Sequence, residues 1–128
     1  MGLLVTPGVK NLVIYQGATF RPTPYEWSHG PDEANLTVVD LTDCAARAMI
    51  RENYDAASVL ITLTTENGGI TLGGTAGTIG LYISDADTAA LPRLDKPGRW
   101  DLEIVWPDGD VTRLLMGSVS ISPEVTHD

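Results

Sequence analysis

The segment WDLEIVWPDGDVTRLLMGSVSIS, at residues 100–122, constrains the fold most because it predicts a β-hairpin by itself. Four large apolar side chains recur at every second position of its first half: Trp100, Leu102, Ile104 and Trp106. This period of two is typical of a strand with one buried face. The turn is predicted at residues 107–110, and Gly117 is predicted to form a β-bulge in the returning strand.

Alternation also predicts a strand for the segment CAARAMIRE at residues 44–52, although its residue types favour a helix by propensity. As a strand, it would turn Ala46, Ala48 and Ile50 inward and Arg47, Met49 and Arg51 outward. Other short apolar runs supply further core candidates: Ile61, Ile79, Leu81 and Ile83. Roughly seven or eight strands, separated by turn residues about every 8–12 positions, predict an all-β sandwich.

The 128 residues predict one domain. We expect an N-terminal arm at residues 1–10, a sandwich over residues 11–122 and a C-terminal tail at residues 123–128. The prolines of segment 19–27 predict an edge or irregular strand, because proline cannot donate a ladder hydrogen bond. Turn-forming residues predict a long excursion at 28–43 and a loop at 73–77. Ser84 is predicted to cap one short helical turn that Pro92 stops.

Composition excludes several classes of partner. The formal net charge is −9, with only eight Lys and Arg residues, so a surface that neutralises nucleic-acid phosphates is not expected. Anionic membranes are disfavoured for the same reason, and no apolar run is long enough to span a bilayer. We also expect no export signal, because no basic leader precedes the apolar start of the chain. No motif indicates a cofactor.

The sequence does not assemble a catalytic or metal site, and we expect a non-enzymatic protein. The histidines are His29 and His127, neither of which is matched by a nucleophile and an orienting acid. Cys44 is the single cysteine, which excludes an internal disulfide and favours a small buried residue over a reactive thiol. The pairs Asp85 with Asp87 and Asp108 with Asp110 have calcium-loop spacing, but helix capping and turn formation explain them better.

The outward positions suggest two further hypotheses. Arg47 and Arg51 would form a cross-strand ladder with Asp101 and Glu103 if their strands are neighbours. Glycan binding is the main alternative function, because β-sandwiches display aromatic platforms to sugars. Its candidate side chains are Trp27, Tyr54, Tyr82, Trp100 and Trp106. The inward pattern of Trp100 and Trp106 favours the core, which leaves Trp27 as the tryptophan expected at the surface.

Taken in order, the motifs of this chain resemble a family of small tailed-phage virion proteins. The matching segments are GATF at 17–20, Trp27, DLTD at 40–43, ARAMIR at 46–51, NGGI at 67–70, GTIGLYIS at 77–84, Thr88 with Leu91, WDLE at 100–103 and PDGDVTRLLMGSVSISPEVT at 107–126. They cover nearly the whole chain. Asp43 departs from the pattern, since the family has glycine there, and a left-handed backbone would tolerate aspartate at some cost.

The resemblance implies the N-terminal immunoglobulin-like docking domain of upper-baseplate and tail-fibre proteins. It therefore implies an antiparallel sandwich that acts as a non-enzymatic tail adaptor, made in the host cytoplasm and carried in the virion tail. The implied partners are baseplate, tail and fibre proteins, with a homo-oligomer in the particle as one arrangement. A neck or head-decoration protein is the alternative virion position. The chain would be a stand-alone adaptor, since no fibre shaft follows the matched segment.

We expect the partner contacts at exposed strand edges and loops. The apolar arm is one candidate, because apolar residues in a free arm are stabilised only by docking on a neighbour. The segments 19–27 and 28–39 are the others. The individual candidates are Leu3, Leu4, Val5, Arg21, Trp27 and His29.

Overall fold

The computed structural model describes residues 7–32 and 34–126 of the chain. The strands of these residues are β1 (Gly8–Val9), β2 (Leu12–Tyr15), β3 (Tyr25–Glu26), β4 (Ser28–His29), β5 (Thr37–Val38), β6 (Ala45–Arg51), β7 (Ile61–Thr64), β8 (Ile70–Leu72), β9 (Thr78–Leu81), β10 (Gly98–Val105) and β11 (Val111–Ser122). A 3-10 turn spans Gly74–Ala76 within the predicted loop, and one short helix, α1, spans Asp85–Ala89. Ser84 caps α1 as predicted, because its hydroxyl accepts a hydrogen bond from the Asp87 N–H.

The strands form two layers with the immunoglobulin order. The larger sheet runs β1-β11-β10-β6-β7, with β2 also paired to β11, and the smaller sheet runs β3-β9-β8. Named from B to G, these sheets have the orders G-F-C-C′ and B-E-D, which is the arrangement of immunoglobulin domains. The predicted all-β, immunoglobulin-like sandwich is therefore confirmed. Very short strands, such as the β4-β5 hairpin inside the predicted excursion, raise the strand number above the predicted seven or eight.

One hydrophobic core fills the space between the layers. The expected core residues Ile50, Ile79, Leu81, Ile83, Trp100, Leu102, Ile104 and Trp106 are all buried in it. Ile61 differs, since it is half-buried and packs against the margin of the core. Trp27 is also buried, and its ring lies 5.9 Å from the ring of Trp106. This contact joins the chain just after β3 to the chain just after β10, so it bridges the two layers.

Strand β6 shows alternation overriding helix propensity. Ala46, Ala48 and Ile50 face the core, while Arg47 and Met49 are exposed on the other side. β6 lies between β10 and β7, and its ladder hydrogen bonds satisfy the backbone groups that a helix would satisfy internally. Burial on a sheet face therefore outweighs the small propensity difference of about 0.7 kcal/mol or less per residue.

The hairpin of β10 and β11 corrects one sequence prediction. The turn at residues 107–110 forms, closed by hydrogen bonds between Trp106 and Asp110 and between Gly109 and Trp106. The bulge lies at Leu114, because Leu102 pairs with Leu115 while the next residue, Glu103, pairs with Arg113. Both Leu114 and Leu115 are consequently buried. Gly117 instead allows the backbone at Lys10 to approach β11 closely, since a Cβ at residue 117 would lie 2.1 Å from the carbonyl oxygen of Lys10.

The sheet begins earlier than the predicted arm boundary. β1 pairs in parallel with β11 at Leu115 and Met116, and β2 continues the parallel pairing at residues 119–122. Between them, the Trp100 indole N–H donates to the Lys10 carbonyl oxygen at 2.8 Å. Residues 8–10 therefore belong to the sandwich. β3 is an edge strand, as the prolines predicted, and residues 123–126 contain no strand.

Candidate functional site

The structure describes three of the six residues that are expected to bind a partner. Leu3, Leu4 and Val5 lie outside the described residues. Arg21 is exposed, with its guanidinium carbon 4.8 Å from the centre of the Tyr82 ring, and His29 is exposed in β4. Trp27, expected as a surface anchor, is only 9% exposed because its ring fills the core beside Trp106. Its side chain is therefore a structural contact between layers.

The contacts of Cys44 and of the pair Asp108 and Asp110 are those of residues with a structural role. Burial raises the pKa of the Cys44 thiol, and the negative charges of Asp40 and Asp43 act in the same direction. The thiol is thus a weaker nucleophile at neutral pH than an unperturbed cysteine. Asp108 accepts a hydrogen bond from the Asp110 N–H within the turn. Over residues 7–32 and 34–126, no three His, Cys, Asp or Glu side chains are grouped to hold a metal ion.

The exposed aromatic side chains are split between the two sheets. Tyr54 follows β6 of the larger sheet and is 70% exposed, whereas Tyr82 follows β9 of the smaller sheet and is 37% exposed. A guanidinium lies against each ring, that of Arg99 at 5.1 Å from Tyr54 and that of Arg21 at 4.8 Å from Tyr82. The two rings therefore do not form one continuous platform for a sugar.

The outer side of the larger sheet brings together a group of charged side chains, which we call the arginine face. It consists of Arg47 and Arg51 on β6, Arg99, Asp101 and Glu103 on β10, and Arg113 on β11, with Met49, Met116 and Tyr54 beside them. These side chains line a shallow depression of about 370 Å³. Alternation places the charges here, because the neighbouring positions on each strand face the core.

The strand register sets the order of charges across this face. Glu103 lies opposite Arg47 on β6 and opposite Arg113 on β11. One row further along the strands, Asp101 lies opposite Met49 and Met116. Two residues beyond Asp101, Arg99 lies directly opposite Arg51. The face therefore has a mixed-charge end and an end with two adjacent cations.

Two ion pairs neutralise the mixed-charge end. Arg47 Nε lies 2.8 Å from Glu103 Oε1, which confirms that part of the predicted cross-strand ladder. Arg113 Nε lies 3.5 Å from Asp101 Oδ2. Arg51 takes no carboxylate partner in the described residues and donates instead to the carbonyl oxygens of Ala56 and Ala57. The predicted ladder is thus half formed, since Asp101 pairs with Arg113 on β11 and not with an arginine on β6.

Burial raises the pKa of Asp101 above its usual value, and the negative charge of Glu103 raises it further. The positive charges of Arg113 and Arg51 oppose this shift. Desolvation disfavours the ionised form of a carboxyl group, which explains the direction of this shift. The Asp101 side chain nevertheless remains 41% exposed, so solvent still screens its ion pair with Arg113.

The arginine face concentrates positive charge in an acidic chain. It holds four of the eight Lys and Arg residues but only two carboxylates, whereas the whole chain carries a net charge of −9. The sequence indicates Arg47, Arg51, Asp101 and Glu103 as outward charges and Tyr54 as a candidate for glycan binding, but it did not lead us to Arg99 or Arg113. Alternation along β10 marks Arg99 as outward, but its position beside Arg51 depends on the register of two strands distant in sequence.

Comparisons with known proteins identify no family for this chain. No family model matches it, and no curated protein matches it. Among solved structures, a crystal structure of a chicken TCR is similar, with a TM-score of 0.46 and 11% sequence identity. The match covers 95% of this chain and 56% of the TCR chain. In the described residues, no helix has the length and apolar character needed to cross a membrane.

Proposed function

We propose that this chain is a non-enzymatic structural protein of a phage virion, namely an adaptor that docks tail-fibre or receptor-binding proteins on the tail baseplate. The observation that carries the docking role is the arginine face, a cationic surface on an acidic sandwich. The resemblance of residues 11–126 to small tailed-phage proteins supports its place in a virion. On this proposal the chain resides in the virion tail after synthesis in the host cytoplasm.

Three of the motifs that resemble the phage family lie in turns, which supports a structural role for them and a docking role for other surfaces. NGGI forms the turn between β7 and β8, PDG forms the turn of the last hairpin, and DLTD leads into β6. Gly68 and Gly109 have positive φ in these turns, as does Asp43. These motifs therefore specify the scaffold, and docking would depend on the faces between them.

The partners of this proposal are other baseplate, tail and fibre proteins. Partner contacts through Arg21, His29 or the arm residues Leu3, Leu4 and Val5 belong to the same proposal. A protein with this role needs rigid surfaces more than a cleft, since affinity at a protein interface depends on a few well-placed side chains. The arginine face fits that need because rigid strands hold its charged groups.

Fractionation of phage particles tests the proposal. The phage that encodes this chain would be purified, its tails and heads separated, and each fraction analysed by mass spectrometry and by imaging at side-chain resolution. We expect the chain in tails at a fixed ratio to baseplate proteins. Its presence in tail-less heads alone would favour the head-decoration alternative, and its absence from purified particles would contradict a virion role.

A further inference from the structure

We propose that the Arg51–Arg99 end of the arginine face binds acidic side chains of a partner protein. The identity of that partner as a virion protein rests on the proposed function, but the chemistry of the site does not. The register of β6 and β10 sets these two arginines directly opposite each other.

Adjacent like charges are unfavourable in an isolated sheet. Residues directly opposite on antiparallel strands have Cβ atoms about 4.5–5.5 Å apart, and like charges at such positions are destabilising. Neither Arg51 nor Arg99 forms an ion pair with a carboxylate in the described part of the chain, whereas Arg47 and Arg113 each have one. A carboxylate from a partner would relieve this repulsion.

The guanidinium groups retain hydrogen-bond donors for such a ligand. Arginine has five N–H donors. Arg51 directs one nitrogen to the carbonyl oxygens of Ala56 and Ala57, in the loop after β6, and another to the sulfur of Met49 on β6. The Arg99 side chain makes no hydrogen bond within residues 7–32 and 34–126, and its guanidinium carbon lies 5.1 Å from the centre of the Tyr54 ring. Its planar fork is thus available for a bidentate contact with a carboxylate.

The side chains around Arg51 and Arg99 favour an acidic polypeptide over a nucleic acid as the ligand. Met49 is 38% exposed next to the two arginines, and Tyr54 is 70% exposed, so apolar surface adjoins the cationic end. An acidic peptide offers both carboxylates and apolar groups to such a site. A nucleic acid carries a phosphate charge about every 1.7 Å of duplex. It would extend from this small cationic end over the acidic remainder of a chain whose net charge is −9.

An NMR titration of the intact chain tests the inference without the natural partner. The probe is a capped hexaglutamate peptide at low ionic strength, and a capped hexaglutamine peptide is the neutral control. We expect saturable shifts of the backbone amides around residues 49–51 and 99–101 with hexaglutamate only. Arg99→Gln and Arg51→Gln should each weaken binding about tenfold, the usual cost of losing a charge-assisted hydrogen bond.

Two further variants make the result specific. Arg93→Gln removes an exposed arginine from the loop between α1 and β10, so it should leave the titration unchanged. Arg99→Lys keeps the charge but loses the fork, so it should weaken binding by less than Arg99→Gln. Equal weakening by Arg93→Gln, or equal shifts with hexaglutamine, would overturn the inference.

Other occupants give distinct outcomes. If inorganic phosphate saturates the same amides as tightly as hexaglutamate, the site is a phosphate site and the proposed occupant is wrong. If sedimentation shows a dimer that Arg99→Gln dissociates, a second copy of the chain occupies the face and the proposed occupant, a separate partner protein, is wrong. Particle fractionation separates this inference from the proposed function: hexaglutamate binding by a chain absent from tails would contradict only the tail-adaptor role. A chain that is present in tails but does not bind the peptide would contradict only the acidic-ligand site.

Discussion

Asp43 shows how a single departure from a motif has a structural consequence. It is the one non-glycine residue with positive φ in the described ranges, at 63°, within a turn closed by the Cys44 N–H and the Leu41 carbonyl oxygen. The resemblance of DLTD to a family pattern with glycine predicted this backbone position. Trp27 shows the opposite case: it follows a two-residue strand, which is too short for alternation to indicate its direction.

We expect Asp43→Gly to stabilise the fold by about 0.5–1 kcal/mol, because it removes the cost of a left-handed backbone at an L residue. The gain is limited by the greater freedom of glycine in the unfolded chain. Urea denaturation followed by circular dichroism measures the effect. Asp43→Ala is the matched control and should destabilise, since alanine keeps the Cβ and lacks the tolerance of aspartate for this conformation. A destabilised Asp43→Gly variant would contradict this account.

At the scale of elements, the sequence predicted strands better than it predicted pairings. The β10–β11 hairpin and β6 were predictable because alternation is local and strong over seven or more residues. The parallel pairing of β1 and β2 with β11 was not, since it joins residues about a hundred positions apart and leaves no local pattern. The same pairing explains Gly117, whose position against the Lys10 carbonyl oxygen a bulge prediction cannot capture.

We expect Gly117→Ala to destabilise the protein by about 1–3 kcal/mol, as overpacking of a close contact does. The added Cβ would lie 2.1 Å from the Lys10 carbonyl oxygen, so the N-terminal strand would have to move and strain the Trp100 hydrogen bond to the same oxygen. Thermal unfolding and hydrogen exchange of β2 amides measure this effect. Gly80→Ala in β9 is the control, because its nearest contact of 3.7 Å is ordinary and its cost should stay within about 0.5 kcal/mol. Equal effects of the two substitutions would count against the close approach.

At the scale of the whole molecule, the sandwich was predictable and its arginine face was only partly so. The number and spacing of strands indicated two layers, and the motifs indicated the immunoglobulin type. Arg51 and Arg99 become neighbours only when the register of β6 and β10 is fixed, and sequence patterns do not set the register of strands distant in the chain. The contact of Trp27 with Trp106 likewise exists only after the two layers pack.

We expect Trp27→Ala to destabilise the fold by about 3–5 kcal/mol, as loss of a buried aromatic side chain does. Its ring is buried and contacts Trp106 from the opposite layer. Equilibrium unfolding in urea measures the loss. Tyr54→Ala is the aromatic control at a surface position, and it should cost less than about 1 kcal/mol through the lost contact with Arg99. If Trp27→Ala lowered the free energy of unfolding as little as Tyr54→Ala, the burial of Trp27 in the core would be contradicted.

The parallel pairing of β2 with β11 has a mechanical consequence. When two strands run in the same direction, tension applied to the start of one and the end of the other pulls them along their length in opposite senses. The hydrogen bonds between residues 12–15 and 119–122 then carry the load together in shear, whereas an antiparallel pair pulled from one end opens bond by bond. A force transmitted from the N-terminal strand to the C-terminal strand would therefore meet resistance before it reached the core.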